Sequence, residues 1–151
     1  MRIPISVVKL HEDAVIPTYG TSGAAGFDFY SVSDVIVEAG QTAIIKTGLA
    51  MAICEGFEIQ VRPRSGMSAK TKIRVANSPG TIDSDYRGEI GIIVDNTGTE
   101  AYEIHVGDRI AQGVLSIVPQ ASFVSVNSLD ETERGADGYG STGINCQTAT
   151  S

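Results

Sequence analysis

Short apolar runs separated by turn residues recur along the chain, and this pattern constrains the fold more than any other feature. From Phe57 to Arg62 apolar and polar side chains alternate, which is the period of a β-strand with one buried face. Similar runs at Val35–Val37, Thr42–Lys46 and Leu49–Cys54 are separated by turn-forming glycines. No stretch carries a sustained helical period, and the one helical candidate is Ser65–Lys70. The sequence therefore predicts an all-β sandwich with one short helix.

Later strands are expected at Glu89–Val94 and Arg109–Val118, with Asp95–Gly98 as a turn and Phe123–Val126 closing the set. From Asn127 onward the sequence becomes polar and glycine-rich. We therefore divide the chain into a core domain, residues 1–126, and a flexible C-terminal arm, residues 127–151.

Size and charge limit the classes of function that are open to this chain. Its 151 residues are enough for one domain with its own core. With 18 acidic and 11 basic residues the net charge is −7, which argues against binding a nucleic acid polymer but leaves room for a small phosphate ligand. Cys54 and Cys146 match no metal spacing, and we expect Cys54 to be a buried thiol in a reducing compartment. No signal peptide, transit peptide or membrane span is visible, so we expect a cytoplasmic protein with no membrane role.

The stretch Asn77–Glu89 carries more functional groups than a plain connection needs. Pro79 and Gly80 predict a turn, and Asp83 and Tyr86 follow within a few residues. An Asp- and Gly-rich β-hairpin with no function is the plain alternative. In a functional site, Asp83 could orient or deprotonate a water molecule.

One reaction that uses an oriented water molecule is the hydrolysis of a nucleoside triphosphate. It also requires that the charge of the phosphates is neutralised and that a metal ion is held in place. Arg64 and Arg134 could neutralise phosphate, and Asp28 could hold the water ligands of a hydrated Mg²⁺. No Ser-His-Asp arrangement is visible, so direct attack by water is favoured over a covalent intermediate. In the arm, Tyr139 could lie over a base, and small residues suited to phosphate contacts surround it, namely Gly138, Gly140, Ser141, Thr142 and Gly143.

Five stretches in order resemble the five motifs of the trimeric dUTP pyrophosphatases (dUTPases), and the resemblance covers nearly the whole chain. They are Ala25-Gly26-Phe27-Asp28, Pro63-Arg64-Ser65-Gly66, the Asn77–Glu89 stretch, Gly107-Asp108-Arg109-Ile110-Ala111-Gln112, and the segment from Arg134 to Gly143. The resemblance implies a jelly-roll-like β fold and a homotrimer with three active sites at the subunit interfaces. One subunit would lend the first, second and fourth motifs, a neighbour the third, and the remaining subunit its arm.

The resemblance also implies the reaction and the roles of individual residues. dUTP would be hydrolysed to dUMP and pyrophosphate by Mg²⁺-assisted attack of water on the α-phosphate, which limits uracil in DNA and supplies dUMP for dTMP synthesis. Asp83 would hold the attacking water, Asp28 would contact water ligands of Mg²⁺, and Tyr86 would pack against the deoxyribose. The substrate-binding set implied by position is Arg64, Ser65, Gly66, Asn77, Gly80, Thr81, Ile82, Tyr86, Gln112, Arg134, Gly138, Tyr139, Gly140, Ser141 and Thr142.

Two alternatives stay open at the level of the sequence. The dCTP deaminases share the fold and several motifs, although Tyr86 after Asp85 and the stretch from Arg134 to Gly143 resemble the pyrophosphatases. A nucleotide-gated interaction protein is the other alternative, because some viral relatives bind regulatory proteins, and such a partner is possible if the chain is viral. No inserted segment of the kind those relatives often carry stands out here.

Overall fold

A computed structural model describes residues 2–141 of the chain, and Thr142, Gly143 and Cys146 of the sequence predictions lie outside the described residues. Eleven strands and one helix are present within that range. They are β1 (Ser6–Lys9), β2 (Phe27–Tyr30), β3 (Val35–Val37), β4 (Thr42–Lys46), β5 (Leu49–Ala52), β6 (Phe57–Arg62), α1 (Ser65–Lys70), β7 (Ile73–Val75), β8 (Gly80–Ile82), β9 (Gly91–Asn96), β10 (Tyr102–Ile104) and β11 (Arg109–Ile117). The predicted all-β class with one short helix is confirmed. No helix among the described residues has the length and apolar character needed to cross a membrane.

All strand pairs are antiparallel, and the largest sheet has the order β2-β11-β6-β8. A three-stranded sheet, β4-β9-β7, and the two pairs β1-β5 and β10-β3 complete the set. Buried faces of these strands supply the core, whose largest fully buried side chains include Phe29, Ile45, Leu49, Ile59, Ile92, Ile104 and Ile110. Strand β6 illustrates the cause, since Ile59 and Val61 are buried and Arg62 is exposed.

The register of β11 brings three polar side chains onto one face of the four-stranded sheet. Gln112 lies opposite Asp28 on β2 and opposite Arg62 on β6. Directly opposed residues in antiparallel strands point to the same face. A bulge between Arg109 and Ala111 inserts Ile110 into the β11 side of the pairing with β2.

Two short elements differ from the sequence expectation. Strand β7 was not predicted, because a charged residue stands in the middle of its three residues, whereas the three residues of β3 form an apolar run. Asp95 and Asn96 belong to β9 and not to a turn. The reason is that buried Asn96 satisfies its amide by donating from Nδ2 to the carbonyls of Val37 (2.8 Å) and Glu100 (2.7 Å), so a polar residue can end a core strand.

The prediction that Phe123–Val126 closes the set of strands is wrong. The last strand in the described chain ends at Ile117, and Phe123 is 95% exposed. The segment has the composition of a strand, but no strand of the described chain pairs with it. The chain divides into two units, Met1–Pro119 and Gln120–Ser151.

Cys54 is half-buried, which corrects the expectation of a fully buried thiol. Its Sγ donates to the carbonyl of Pro4 at 3.3 Å. The N-terminal segment therefore covers the thiol only in part and provides its hydrogen-bond acceptor.

Candidate active site

A carboxylate held between two arginines lies at the end of the four-stranded sheet. Arg64 donates from Nε to Oδ1 of Asp28 at 2.8 Å, and Nη1 of Arg109 lies 3.6 Å from Oδ2. The side chains of Arg64 and Asp28 are 28% and 26% exposed, so water screens their ion pair less than it screens a surface pair. The pairing joins β2, the start of α1 and the start of β11, which are far apart in the sequence.

Gln112 adjoins this cluster and is fixed by the backbone of the neighbouring motif. Its Nε2 donates to the carbonyl of Pro63 at 3.0 Å, which satisfies the amide of this half-buried side chain. Its Oε1 lies over Gly26, where a Cβ atom would collide with it. Gly26 therefore leaves the space that the Gln112 amide occupies.

Ser65 and Gly66 open α1 directly after Arg64, and both are exposed. Arg64 is the N-cap residue of α1 in an extended conformation, and its side chain does not cap the helix but donates to Asp28. Ser65 and Gly66 therefore follow directly in sequence on Arg64, a member of the Asp28 cluster.

The hairpin that starts at Asn77 forms a second group of predicted site residues. Gly80 approaches β6 so closely that a Cβ atom there would lie 3.1 Å from Cβ of Val61 and 3.3 Å from Nδ2 of Asn77. Ile82 is buried in the core, whereas Asn77 and Thr81 are exposed. Ile82 could therefore face a ligand only with its backbone.

The tight turn after β8 presents Asp83 and Tyr86 to solvent. The Tyr86 N–H donates to the Asp83 carbonyl at 3.2 Å, and Arg87 closes the turn by donating from Nη1 to the carbonyls of Ser84 and Tyr86. Tyr86 Oη donates to the Glu89 carbonyl at 2.9 Å. The exposed Asp83 carboxylate makes no hydrogen bond or ion pair to any other residue in the range 2–141. Across that same range, no hydrogen bond or ion pair links this hairpin to the Asp28 cluster.

The described part of the arm is a series of tight turns held by local hydrogen bonds. Arg134 donates from Nε to the Asp137 carbonyl at 2.9 Å, and the Ser141 N–H donates to the Gly138 carbonyl at 3.2 Å. Gly140 has a φ of 94°, and Tyr139 has a φ of 50° with a fully exposed ring. The side chains of Arg134, Tyr139 and Ser141, which are predicted to contact a nucleotide, are therefore exposed and not packed in an apolar core. Thr142 lies beyond the described residues.

Arg109 is the member of the Asp28 cluster that sequence reasoning did not assign to the site. Arg109 is the first residue of β11 and lies opposite Tyr30 of β2. Tyr30 is two residues from Asp28 on β2, so Arg109 faces the same side of the sheet as Asp28. Its place in the same motif as Gln112 could have indicated a role in the site, but only the pairing of β2 with β11 shows that its ionic partner is Asp28.

The donor chemistry of the cluster fits a hydrated Mg²⁺ that accompanies a polyphosphate. Mg²⁺ in such sites is held by one or two carboxylates together with substrate phosphates and retained waters. Asp28 is the carboxylate of the cluster, and Arg64 and Arg109 supply charge for phosphates. In the described part of the chain no group of three or more His, Cys, Asp or Glu side chains is arranged to hold a metal.

Comparison with known proteins gives the same family from sequence and from structure. The family model described as dUTPase matches residues 12–143. A deoxyuridine 5'-triphosphate nucleotidohydrolase of Wolinella succinogenes is 53% identical over 142 residues, which cover 94% of this chain and 95% of the relative.

Among solved structures, a variant dUTPase of Staphylococcus bacteriophage 80alpha with dUpNHpp has a TM-score of 0.88 at 28% identity, covering 93% of this chain and 99% of that one. A variant dUTPase from phage phi11 of S. aureus has a TM-score of 0.78 at 28% identity, covering 83% of this chain and 98% of that one. The latter is described as revealing the coordination of a structural Mg(II) ion.

Proposed function

The chain belongs to the dUTPase family and hydrolyses dUTP, and we propose that it does so by direct attack of water on the α-phosphorus, releasing dUMP and pyrophosphate. It has the jelly-roll-like β fold of that family. The observation that carries the mechanism is that the groups suited to bind phosphate and the group suited to activate water are separate. A carboxylate and two arginines meet at one sheet end, while the Asp83 carboxylate has no hydrogen-bonding or ionic partner among residues 2–141.

The Asp28 cluster is the proposed triphosphate subsite. Arg64 would turn from Asp28 to phosphate oxygens, which its planar guanidinium can bind in pairs. Gln112 and the residues Ser65 and Gly66 would add neutral donors beside it. Asp28 would hold water ligands of Mg²⁺, and the bound ion would neutralise charge on the triphosphate.

Asp83 is the proposed base and orienting group for the attacking water. Its exposed carboxylate is free to accept a hydrogen bond from water, and the turn closed by Arg87 fixes its backbone. Holding a water in line with the scissile bond removes much of the entropic barrier to attack.

The hairpin around Asp83 is the proposed subsite for the nucleoside. Asn77 and the backbone of 80–82 would bind the uracil edge, since these groups are exposed or lie at the sheet margin. Tyr86 would pack against the deoxyribose and leave no space for a 2′-hydroxyl.

The arm is the proposed lid over the bound nucleotide. Arg134, Ser141 and Thr142 would close over the γ-phosphate, and the backbone of Gly138 and Gly140 would add N–H donors. The exposed ring of Tyr139 would stack on the uracil.

A homotrimer with shared active sites is part of the proposal. Two observations support it. The hairpin carrying Asp83 makes no hydrogen bond or ion pair with the Asp28 cluster within residues 2–141, so a complete site is better explained by two chains. Phe123, Val124 and Leu129 are strongly exposed, as expected for residues that another subunit covers.

Pyrophosphate release from dUTP, UTP, dCTP and dTTP, each with and without Mg²⁺, tests the proposed reaction. We expect dUTP to be hydrolysed at least ~10²-fold faster in kcat/KM than the others and Mg²⁺ to increase the rate. Asp28→Asn should remove most of the Mg²⁺ effect, whereas Asp13→Asn, an exposed carboxylate elsewhere on the core, should not. Ammonia release from dCTP without pyrophosphate would instead support the deaminase alternative, which the names of the curated relatives do not favour.

Mixing two inactive variants tests whether the sites are shared between chains. Asp83→Asn and Arg134→Ala remove groups that we assign to different subunits of one site. After co-refolding at equal amounts, about a quarter of all sites should be intact, because each group comes from the correct chain half of the time, and this corresponds to one site in each mixed trimer. Hydrolysis should therefore recover. Mixed trimers verified by mass but without activity would show that both groups come from one chain.

A further inference from the structure

The hydroxyl end of the Tyr86 ring lies close to Gly88. A Cβ atom at Gly88 would sit 2.5 Å from Oη, 2.7 Å from Cζ and 3.0 Å from Cε2 of Tyr86. These separations are far below van der Waals contact, so only glycine permits the observed ring position. The φ of Gly88 is not in the left-handed region, so alanine would fit the backbone and act on the ring alone.

The same end of the ring is held by a backbone group that is itself fixed. Tyr86 Oη donates to the Glu89 carbonyl at 2.9 Å. Glu89 accepts the Gly48 N–H on Oε1 at 3.1 Å, and the next residue, Ile90, donates its N–H to the Leu49 carbonyl at 2.8 Å. The acceptor for Tyr86 is therefore anchored to the start of β5.

We propose that Gly88 and the Glu89 carbonyl form a seat for the Tyr86 ring, and that Gly88 is a positioning residue for selection against ribonucleotides. This inference rests on the proposed packing of Tyr86 against deoxyribose. The ring is 46% exposed, so surrounding side chains alone do not fix it. The seat supplies space for the hydroxyl end of the ring and a fixed acceptor for Oη. A ring whose hydroxyl end is held in this way can exclude a 2′-hydroxyl by contact, whereas a mobile ring would move aside for it.

Gly88→Ala is expected to narrow the ratio of kcat/KM for dUTP over UTP by about 10-fold, the scale on which a tolerant pocket discriminates small groups. The alanine methyl group would displace the ring and break its hydrogen bond to Glu89. Gly20→Ala is the matched control, because a Cβ atom at Gly20 meets nothing within 4 Å, and its ratio should equal that of the wild type. Thermal unfolding of each variant verifies folding.

A second background distinguishes positioning from a direct effect of Gly88. In Tyr86→Ala protein, adding Gly88→Ala should change the ratio no further, since coupled residues are non-additive. If Gly88→Ala narrows the ratio in Tyr86→Ala protein as much as it does in the wild type, the proposal is overturned. An unchanged ratio in Gly88→Ala itself would also overturn it. Should Gly88→Ala not fold, Tyr86→Phe removes only the hydrogen bond to Glu89, and its ratio should narrow about 3-fold. No change there would overturn the seat.

The same set of variants separates failure of the seat from failure of the proposed sugar contact. If Tyr86→Ala alone leaves the ratio unchanged, Tyr86 does not read the sugar, and the inference falls with that assignment. If Tyr86→Ala narrows the ratio but Gly88→Ala does not, the sugar contact stands and the seat is overturned.

Discussion

Asp83→Asn is expected to lower kcat for dUTP hydrolysis by about 10²-fold or more, the usual contribution of a positioned general base. Asparagine keeps the size of the side chain but cannot accept a proton from water. Because the Asp83 carboxylate makes no hydrogen bond or ion pair within residues 2–141, its replacement should leave folding and KM nearly unchanged. Steady-state kinetics together with thermal unfolding measure both parts of this expectation.

Asp85→Asn is the matched control for this variant. Asp85 is exposed in the same turn, two residues away, and the substitution removes the same charge. We expect its kcat to stay near the wild-type value. An Asp83→Asn enzyme with wild-type kcat would exclude Asp83 from the mechanism, and equal losses in both variants would indicate a general effect of charge.

Truncation after Glu133 is expected to lower hydrolysis by about 10²-fold or more, as for loss of a closing lid, while thermal stability and the oligomeric state change little. The described residues that are removed carry almost no buried apolar surface, and their hydrogen bonds are local turns. Their removal should therefore leave the free energy of unfolding nearly unchanged. The nucleotide would lose a cation, backbone donors and an aromatic cover.

Truncation after Gly143 gives the control for the shortened arm. It removes residues 144–151 but keeps every arm residue that we assign to the substrate, so activity should remain near that of the full chain. Full turnover after truncation at Glu133 would contradict the assignment of the arm as a phosphate lid. Binding of an imido analogue of dUTP by calorimetry would show whether affinity falls with turnover.

The strands that the sequence predicted well are those with a clear local pattern of apolar residues. Strands β3, β4 and β6 and the helix α1 have the predicted bounds, because an apolar run or an alternation between turn residues is a local property. Strand β7 has a charged residue in the middle of three and forms no such run. The segment Phe123–Val126 shows the limit of such reasoning, since its composition is typical of a strand but a strand also requires a pairing partner.

The candidate site was predictable as a set of residue types but not as a geometry. Asp28 and Arg64 were each singled out, yet their ion pair depends on contacts between distant parts of the chain. Arg109 was missed for the same reason, and the close approach of Gly88 to Tyr86 also appears only in three dimensions. The roles assigned to these residues in catalysis stay predictions.

The bulge in β11 has a consequence for which changes of length this protein can accept. Ile110 is the extra residue in the pairing with β2, and because of it Gln112 lies opposite Asp28. In a regular ladder continued from the Arg109–Tyr30 pair, Ala111 would stand there, and an amide would be replaced by a methyl group. Inserting one residue between Arg109 and Gln112, with the same one-residue bulge, would also place Ala111 opposite Asp28 and so remove a proposed ligand without changing any ligand residue. Deleting Ile110 would instead leave a regular ladder with Gln112 still opposite Asp28. During evolution, gains of residues are accordingly expected in the exposed loops and not within this strand.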